Sequence, residues 1–216
     1  MANATKIIYV NQIAVGAQDG GSWVNAYIDL QDALKNAKAG NEIWVVAGEY
    51  KPGSGRTASF ALKEGVKLYG GFIGTETDRD QRDWTTNKTM LSGAGNSYHV
   101  VTADRLTSAT VLDGFLIAGG NANGDGDNSS GGGLYCRGGS PTLRNLVFSS
   151  NKANKGGGLF WDGAGGTSSP RLTDVIFSGN NAENGGGLYC NGAGGESRPV
   201  MTSVILWNNS ATTGHE

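Results

Sequence analysis

The chain has 216 residues, 37 of them glycine, with 38% apolar residues and a formal net charge of −2. This length suits one filled core or one solenoid, and the apolar share is too high for a simply disordered chain. No Lys/Arg run gives electrostatic support for nucleic-acid binding, and no apolar stretch approaches the roughly 18 residues of a membrane span.

Lys6-Ile-Ile-Tyr-Val10 reads as a first strand, followed by a turn-rich loop from Gly16 to Ser22. Trp23 to Lys38 carries the one helical pattern. Trp23, Tyr27, Leu30 and Leu34 share a face, Ser22 or Asn25 could cap the start, and Gly40 suits the position past the end. Residues 1–41 are therefore expected to form a strand and an amphipathic helix that covers the end of a stack. Glu42-Ile-Trp-Val-Val-Ala47 opens the stack, and Ser59–Leu62, Val66–Tyr69, Thr89–Ser92 and His99–Thr102 extend it with loose spacing. Gly74 to Lys88 is polar and reads as an excursion from the coil. Residues 42–108 are thus irregular first coils with a loop insertion.

From residue 109 to 216 the coils become regular. Gly131-Gly-Gly-Leu-Tyr-Cys136 returns as Gly156-Gly-Gly-Leu-Phe-Trp161 and Gly185-Gly-Gly-Leu-Tyr-Cys190, while Pro141, Pro170 and Pro199 open a second phrase every 29 residues. A fixed period of this size marks a solenoid. The apolar runs are short and bounded by Gly, Asn, Ser and Pro, so they are strands, and each coil buries its apolar side only by stacking at about 4.8 Å. Stacking predicts columns. Phe115, Leu146, Val175 and Val204 form one; Ile117, Phe148, Phe177 and Leu206 form a second on the same interior face; Asn151, Asn180 and Asn209 form a third at the turn. The Gly triplets are expected to supply positive-φ corners and close approach between coils. Cys136 and Cys190 fall two coils apart, too far for a disulfide, and read as buried thiols. Ser210 to Glu216 reads as a polar tail, leaving an open last coil that could pair with another chain.

Gly-Gly-Gly-Leu followed by Phe148-x-x-Asn151 and Phe177-x-x-Asn180 resembles the paired GG[AG][ILV] and FxxN repeats of polymorphic outer-membrane proteins. The wider set of bacterial right-handed β-helix repeat proteins is also similar, and the N-terminal segments Asp19–Trp23, Asp29–Leu34, Glu42–Tyr50, Tyr69–Phe72 and Asp80–Trp84 resemble it too. The resemblance covers most of the chain. It implies an all-β, right-handed parallel β-helix, secreted or displayed on a bacterial cell surface and often adhesive. It specifies the fold far more than the ligand. No membrane barrel or other anchor is seen in this sequence, and Met1 to Thr5 lacks a leader pattern, so secretion would require a signal peptide to have been removed.

Catalytic chemistry finds little support. Asp113, Asp162, Asp174, Glu183 and Glu196 form no column of paired carboxylates of the kind glycoside hydrolysis needs. Arg137, Arg144, Arg171 and Arg198 are spread over several columns. His99 is more often structural than a base in such a setting, and His215 lies in the tail. Asn121-Ala-Asn-Gly-Asp-Gly-Asp127 matches the start of a calcium loop, making Asn121, Asn123, Asp125 and Asp127 candidate ligands of a structural calcium. The acid at the twelfth position is replaced by Gly132, and a polar loop without an ion is the plainer reading. Two outward columns are the candidate ligand face: Tyr135, Phe160 and Tyr189, and Leu116, Val147, Ile176 and Ile205. Exposed aromatics on every rung would offer a platform for sugars or a protein partner. The sequence therefore favours a non-enzymatic surface solenoid that binds glycan or protein. A polysaccharide lyase or hydrolase, and a filament or envelope subunit self-associating through its open coil, are the alternatives.

Overall fold

A computed structural model describes residues 5–163, 168–193 and 195–213. The chain is an all-β parallel solenoid of about six turns with little helix. Three sheets run along it. The largest has ten strands and contains Ile7–Val10, Glu42–Val46, Lys67–Phe72, Val111–Asp113, Thr142–Ser149, Arg171–Ser178 and Val200–Trp207 in stacking order. Its second half also takes in Gly48–Tyr50, Thr89–Ser92 and Leu116–Ala118. The second sheet stacks Asn121–Ala122, Lys152–Lys155, Asn181–Asn184 and Ser210–Thr213. The third stacks Phe60–Ala61, Val101–Leu106, Leu134–Gly139, Leu159–Asp162 and Leu188–Asn191.

The largest sheet bends, and one residue per rung makes the bend. Gly114, Asn145, Asp174 and Ser203 all have φ between 51° and 84°. A left-handed residue breaks the period-two alternation, so Leu143 and Leu146 both point inward although three positions apart. On one side of the bend Ile8, Ile43, Leu68, Leu112, Leu143 and Leu172 stack as a buried column. On the other run the two columns that end in Val175–Val204 and Phe177–Leu206, with Phe148 and Phe177 stacked at 4.9 Å and 8°.

The asparagine column forms a continuous ladder. Asn151 Nδ2 donates to Ile117 O at 2.9 Å and to Asn180 Oδ1 at 3.0 Å, while Asn180 Nδ2 donates to Phe148 O and Asn209 Oδ1, both at 2.9 Å. The backbone N–H of Asn151 and that of Asn180 also donate to the next side-chain oxygen. Each asparagine side chain thereby satisfies buried backbone groups of the preceding turn and ties its own turn to it. Beside it, Gly156 and Gly185 turn with φ of 62° and 61°, and a Cβ on Gly158 would press on the Gly187 carbonyl and the Phe177 ring.

Three expectations need correction. The helix is short, Leu30–Asn36, and does not begin at Trp23. Asp29 caps it by accepting from Gln31 N at 2.9 Å, replacing Ser22 or Asn25 in that role. Upstream the backbone is already engaged: Tyr27 pairs with the first strand, and Trp23 docks among Tyr9, Trp44 and Phe72 while its Nε1 donates to Glu76 O. Leu30, Ala33 and Leu34 still enter the main core. Second, Ser210–Thr213 is a strand of the second sheet and no tail, because Ala211 continues the inward column of Ala122, Ala153 and Ala182. Third, the two cysteines are free as expected, yet only Cys136 is buried, and Cys190, on a later rung, is exposed.

The excursion after Phe72 folds back onto the outer face of the stack. Arg82 buries its guanidinium against Asp113 at 2.7 Å, donates to Gly70 O, and lies over the Tyr69 and Trp84 rings. Arg144 and Asn145 complete the shell around Asp113 at 3.3 and 2.8 Å.

Candidate functional site: a groove on the third sheet

The third sheet alternates cleanly. Leu134 and Cys136, then Leu159 and Trp161, point into the core and are fully buried. The intervening positions point out and form two columns. One runs Ala61, Thr102, Tyr135, Phe160, Tyr189; the other runs Asp104, Arg137, Asp162, Asn191.

One turn beside this face departs from the repeat. From Asn151 to Gly156, and from Asn180 to Gly185, the chain takes five steps; from the equivalent Gly120 to Gly131 it takes eleven. The six extra residues, with a short 3-10 turn at Gly126–Ser129, stand up as a wall beside Tyr135. Arg56 fastens the wall: it donates to Asn121 O and to the Asn123 side chain, and lies over the Tyr98 ring at 4.3 Å. His99 fastens it from below. Its Nδ1 must carry a proton, because it bonds the Gly131 carbonyl at 3.0 Å.

Between wall and sheet lies a groove of about 300 Å³ lined by His99, Thr102, Asp104, Asp127, Tyr135 and Arg137 among others. Asp104 is exposed, and Asp127 approaches Arg137 at 3.9 Å with its side chain 68% exposed. Burial pushes the Tyr135 phenol up, helped by the nearby Asp127 carboxylate and opposed by Arg137, so the hydroxyl stays protonated. Burial lowers His99, against the pull of the Gly131 carbonyl and Asp127, so its ring is neutral at pH 7. The groove thus offers exposed carboxylate acceptors, one guanidinium fork and a phenol on a rigid sheet with one loop wall. Such an arrangement can orient a polar ligand by hydrogen bonds.

The sequence columns land as follows. Tyr135, Phe160 and Tyr189 do stack in register and point away from the core, but they are not an open platform. Tyr135 and Phe160 are only 8% and 5% exposed. Their planes are parallel within 8° with ring centroids 5.5 and 5.7 Å apart, so each ring lies against its neighbour, and His99 lies against the far side of Tyr135. Leu116, Val147, Ile176 and Ile205 form an outward column on the largest sheet, on a different sheet from the groove. Its exposure rises to 36% at Ile176 and 54% at Ile205, and beside Trp84 and Asp174 it borders a smaller hollow of about 190 Å³.

The segment holding Asn121, Asn123, Asp125 and Asp127 is the groove wall. Asn123 is engaged by Arg56, Asn121 Nδ2 points to Gly95 O at 3.4 Å, and Asp127 faces Arg137 and Tyr135. Among the described residues no group of three or more His, Cys, Asp or Glu could hold a metal ion. His215 lies outside the described residues. Asp104 was not singled out by the sequence, although the lengthened 120–131 spacing was a readable sign that this turn differs. No described helix is long and apolar enough to cross a membrane.

No curated protein and no solved structure matches the chain. The model of the family DUF1565, described as a protein of unknown function, matches residues 15–209, nearly the full length, and the chain belongs to that family.

Proposed function

We propose that this chain is a non-enzymatic, right-handed β-solenoid of the bacterial cell surface or exterior that binds a glycan in the groove on its third sheet. The right-handed sense is the one that crossovers between parallel strands overwhelmingly take. The observation that carries the reading is the lengthened 120–131 turn. It is six residues longer than the equivalent turns at 151–156 and 180–185, and its extra residues enclose Asp104, Asp127, Tyr135 and Arg137 against the third sheet. Rigid repeats with one grafted loop are how solenoids build binding surfaces. Binding is favoured over cleavage because Asp104 and Asp127 stand in water. A general acid is usually a carboxyl raised by burial.

Glycan binding is tested by titrating a panel of oligosaccharides into the intact chain and into a variant whose residues 121–130 are shortened to the length of the 152–155 segment. Binding by the first and none by the second supports the reading, provided both melt cooperatively. Equal binding by both would move the site elsewhere. Shortened oligosaccharides in the mixture would replace the binding reading with a hydrolase or lyase. A parallel titration with calcium and then chelator asks whether the wall carries an ion.

A further inference from the structure

The groove has a charge preference that follows from which aromatic surfaces remain available. Sugars without charge are commonly held by stacking on aromatic faces. Here the faces are used up. The Tyr135 ring is sandwiched between His99, at 5.0 Å, and Phe160, at 5.5 Å, and Phe160 is in turn covered by Tyr189. Only the edge and hydroxyl of Tyr135 reach the groove, and they face it from beneath the wall that carries Asp127.

Recognition therefore falls to the neighbouring polar column and the wall. Asp104 and Arg137 sit on adjacent rungs, Asp162 follows one rung on and accepts from Asn191 at 3.2 Å, and Asp127 leans in from the wall. Within the groove lining, two carboxylates face one guanidinium, and His99 adds no charge when neutral. Asp162 extends the negative side. Lys155 lies over the Tyr189 ring at the far end, 5.9 Å from its centre. The wall's own cation, Arg56, is spent on Asn121, Asn123 and Tyr98.

We infer that the groove selects a glycan bearing free ammonium groups, a glucosamine-type chain, and rejects uronate chains. An ammonium donates three hydrogen bonds and would bridge Asp104 and Asp127 by charge-assisted contacts; a uronate would place like charge against both. This inference rests on the glycan reading above.

The test is calorimetric titration of the intact chain with three probes: glucosamine oligomers, the same oligomers fully N-acetylated, and galacturonate oligomers. The expected result is binding of the first, at least about tenfold weaker binding of the other two, and weakening as salt rises. Asp104→Asn combined with Asp127→Asn should cost at least about tenfold for the glucosamine oligomers, with an unchanged melting curve because both side chains are exposed. Equal affinity for the N-acetylated probe, or tighter binding of galacturonate, would overturn the charge assignment and leave glycan binding standing. If none of the three binds, and the wider panel also fails, the glycan reading falls with it.

Discussion

The later coils run through all three sheets while the earlier coils give the second sheet only Asn121–Ala122, and the two regions hold themselves together differently. From residue 142 onward each rung repeats its neighbour, and like stacks on like: Phe148 on Phe177, Asn151 on Asn180 on Asn209. Before residue 140 the columns persist but the turns do not. The 73–88 excursion docks through a buried ion pair, and the 123–130 wall is fastened by Arg56 and His99. Repetition secures the stack at one end and specific long-range contacts secure it at the other. The groove belongs to the second kind, which is where a repeat fold can acquire a ligand.

The two kinds of fastening differ most at the ion pair. Asp113→Ala leaves Arg82, 5% exposed, without its carboxylate and also strips Arg144 and Asn145 of their partner. Breaking a buried pair from one side costs about 3–5 kcal/mol. The expected result in urea is a loss on that scale, with new proteolytic cleavage confined to 73–88. If cleavage instead spreads through 142–213, the two halves are not separately secured. The matching change in the regular half is Asn180→Ala. It orphans the Asn151 amide and the Phe148 carbonyl in a dry turn, at about 1–3 kcal/mol for each buried group. A destabilisation of about 3 kcal/mol is expected, with a single cooperative transition.

These same contrasts explain what could be read without coordinates. The 29-residue period exposes the inward columns and the asparagine ladder directly, because identical environments on successive rungs select identical side chains. Trp23 to Lys38 misleads because apolar spacing of three and four fits a helix. Only the tertiary structure shows that Trp23 is packing on Trp44 and Phe72 while Tyr27 pairs with a strand. Ser210–Thr213 looks like a tail because three of its four side chains are polar. The signal was the alanine two residues past each asparagine, at 153, 182 and 211. The groove was least legible: its aromatic column was readable, but its closure by ring-on-ring stacking and by an inserted wall depends on contacts between distant segments.

A smaller effect tests the bend. Asp174 adopts φ 55° in a column shared with Gly114, Asn145 and Ser203. Its pair contacts are few, so Asp174→Val isolates the backbone. Left-handed geometry costs an L-residue about 1–2 kcal/mol, and Val is the wrong shape for it. A loss of about that size by urea unfolding is expected, and Asp174→Gly should be close to neutral. If Val is tolerated, the bend is not what sets the two inward columns three residues apart.

The smallest expected effect lies at the groove and reads its wall. His99 is buried, and burial holds its folded pKa below the ordinary value near 6.5. In that case the unfolded chain takes up the proton first as pH falls. The stability contributed by neutral His99 is therefore fully present above about pH 6.5 and is lost as pH drops toward the folded pKa. Glu64 acts in a different window. Hydrogen bonds from Thr107 lower its carboxyl, so its contribution fades only as pH falls below the ordinary carboxylate value. Melting curves between pH 7.5 and 5.5 should thus show a modest decline in the intact chain that His99→Gln flattens. Amide exchange should place the loosening at 123–131, because a charged His99 is poorly solvated in its buried site beneath the wall although its Nδ1–H still donates to the Gly131 carbonyl, and not at the asparagine ladder, whose groups do not titrate. A decline that survives His99→Gln would shift the pH sensitivity to the carboxylates and detach the wall from His99.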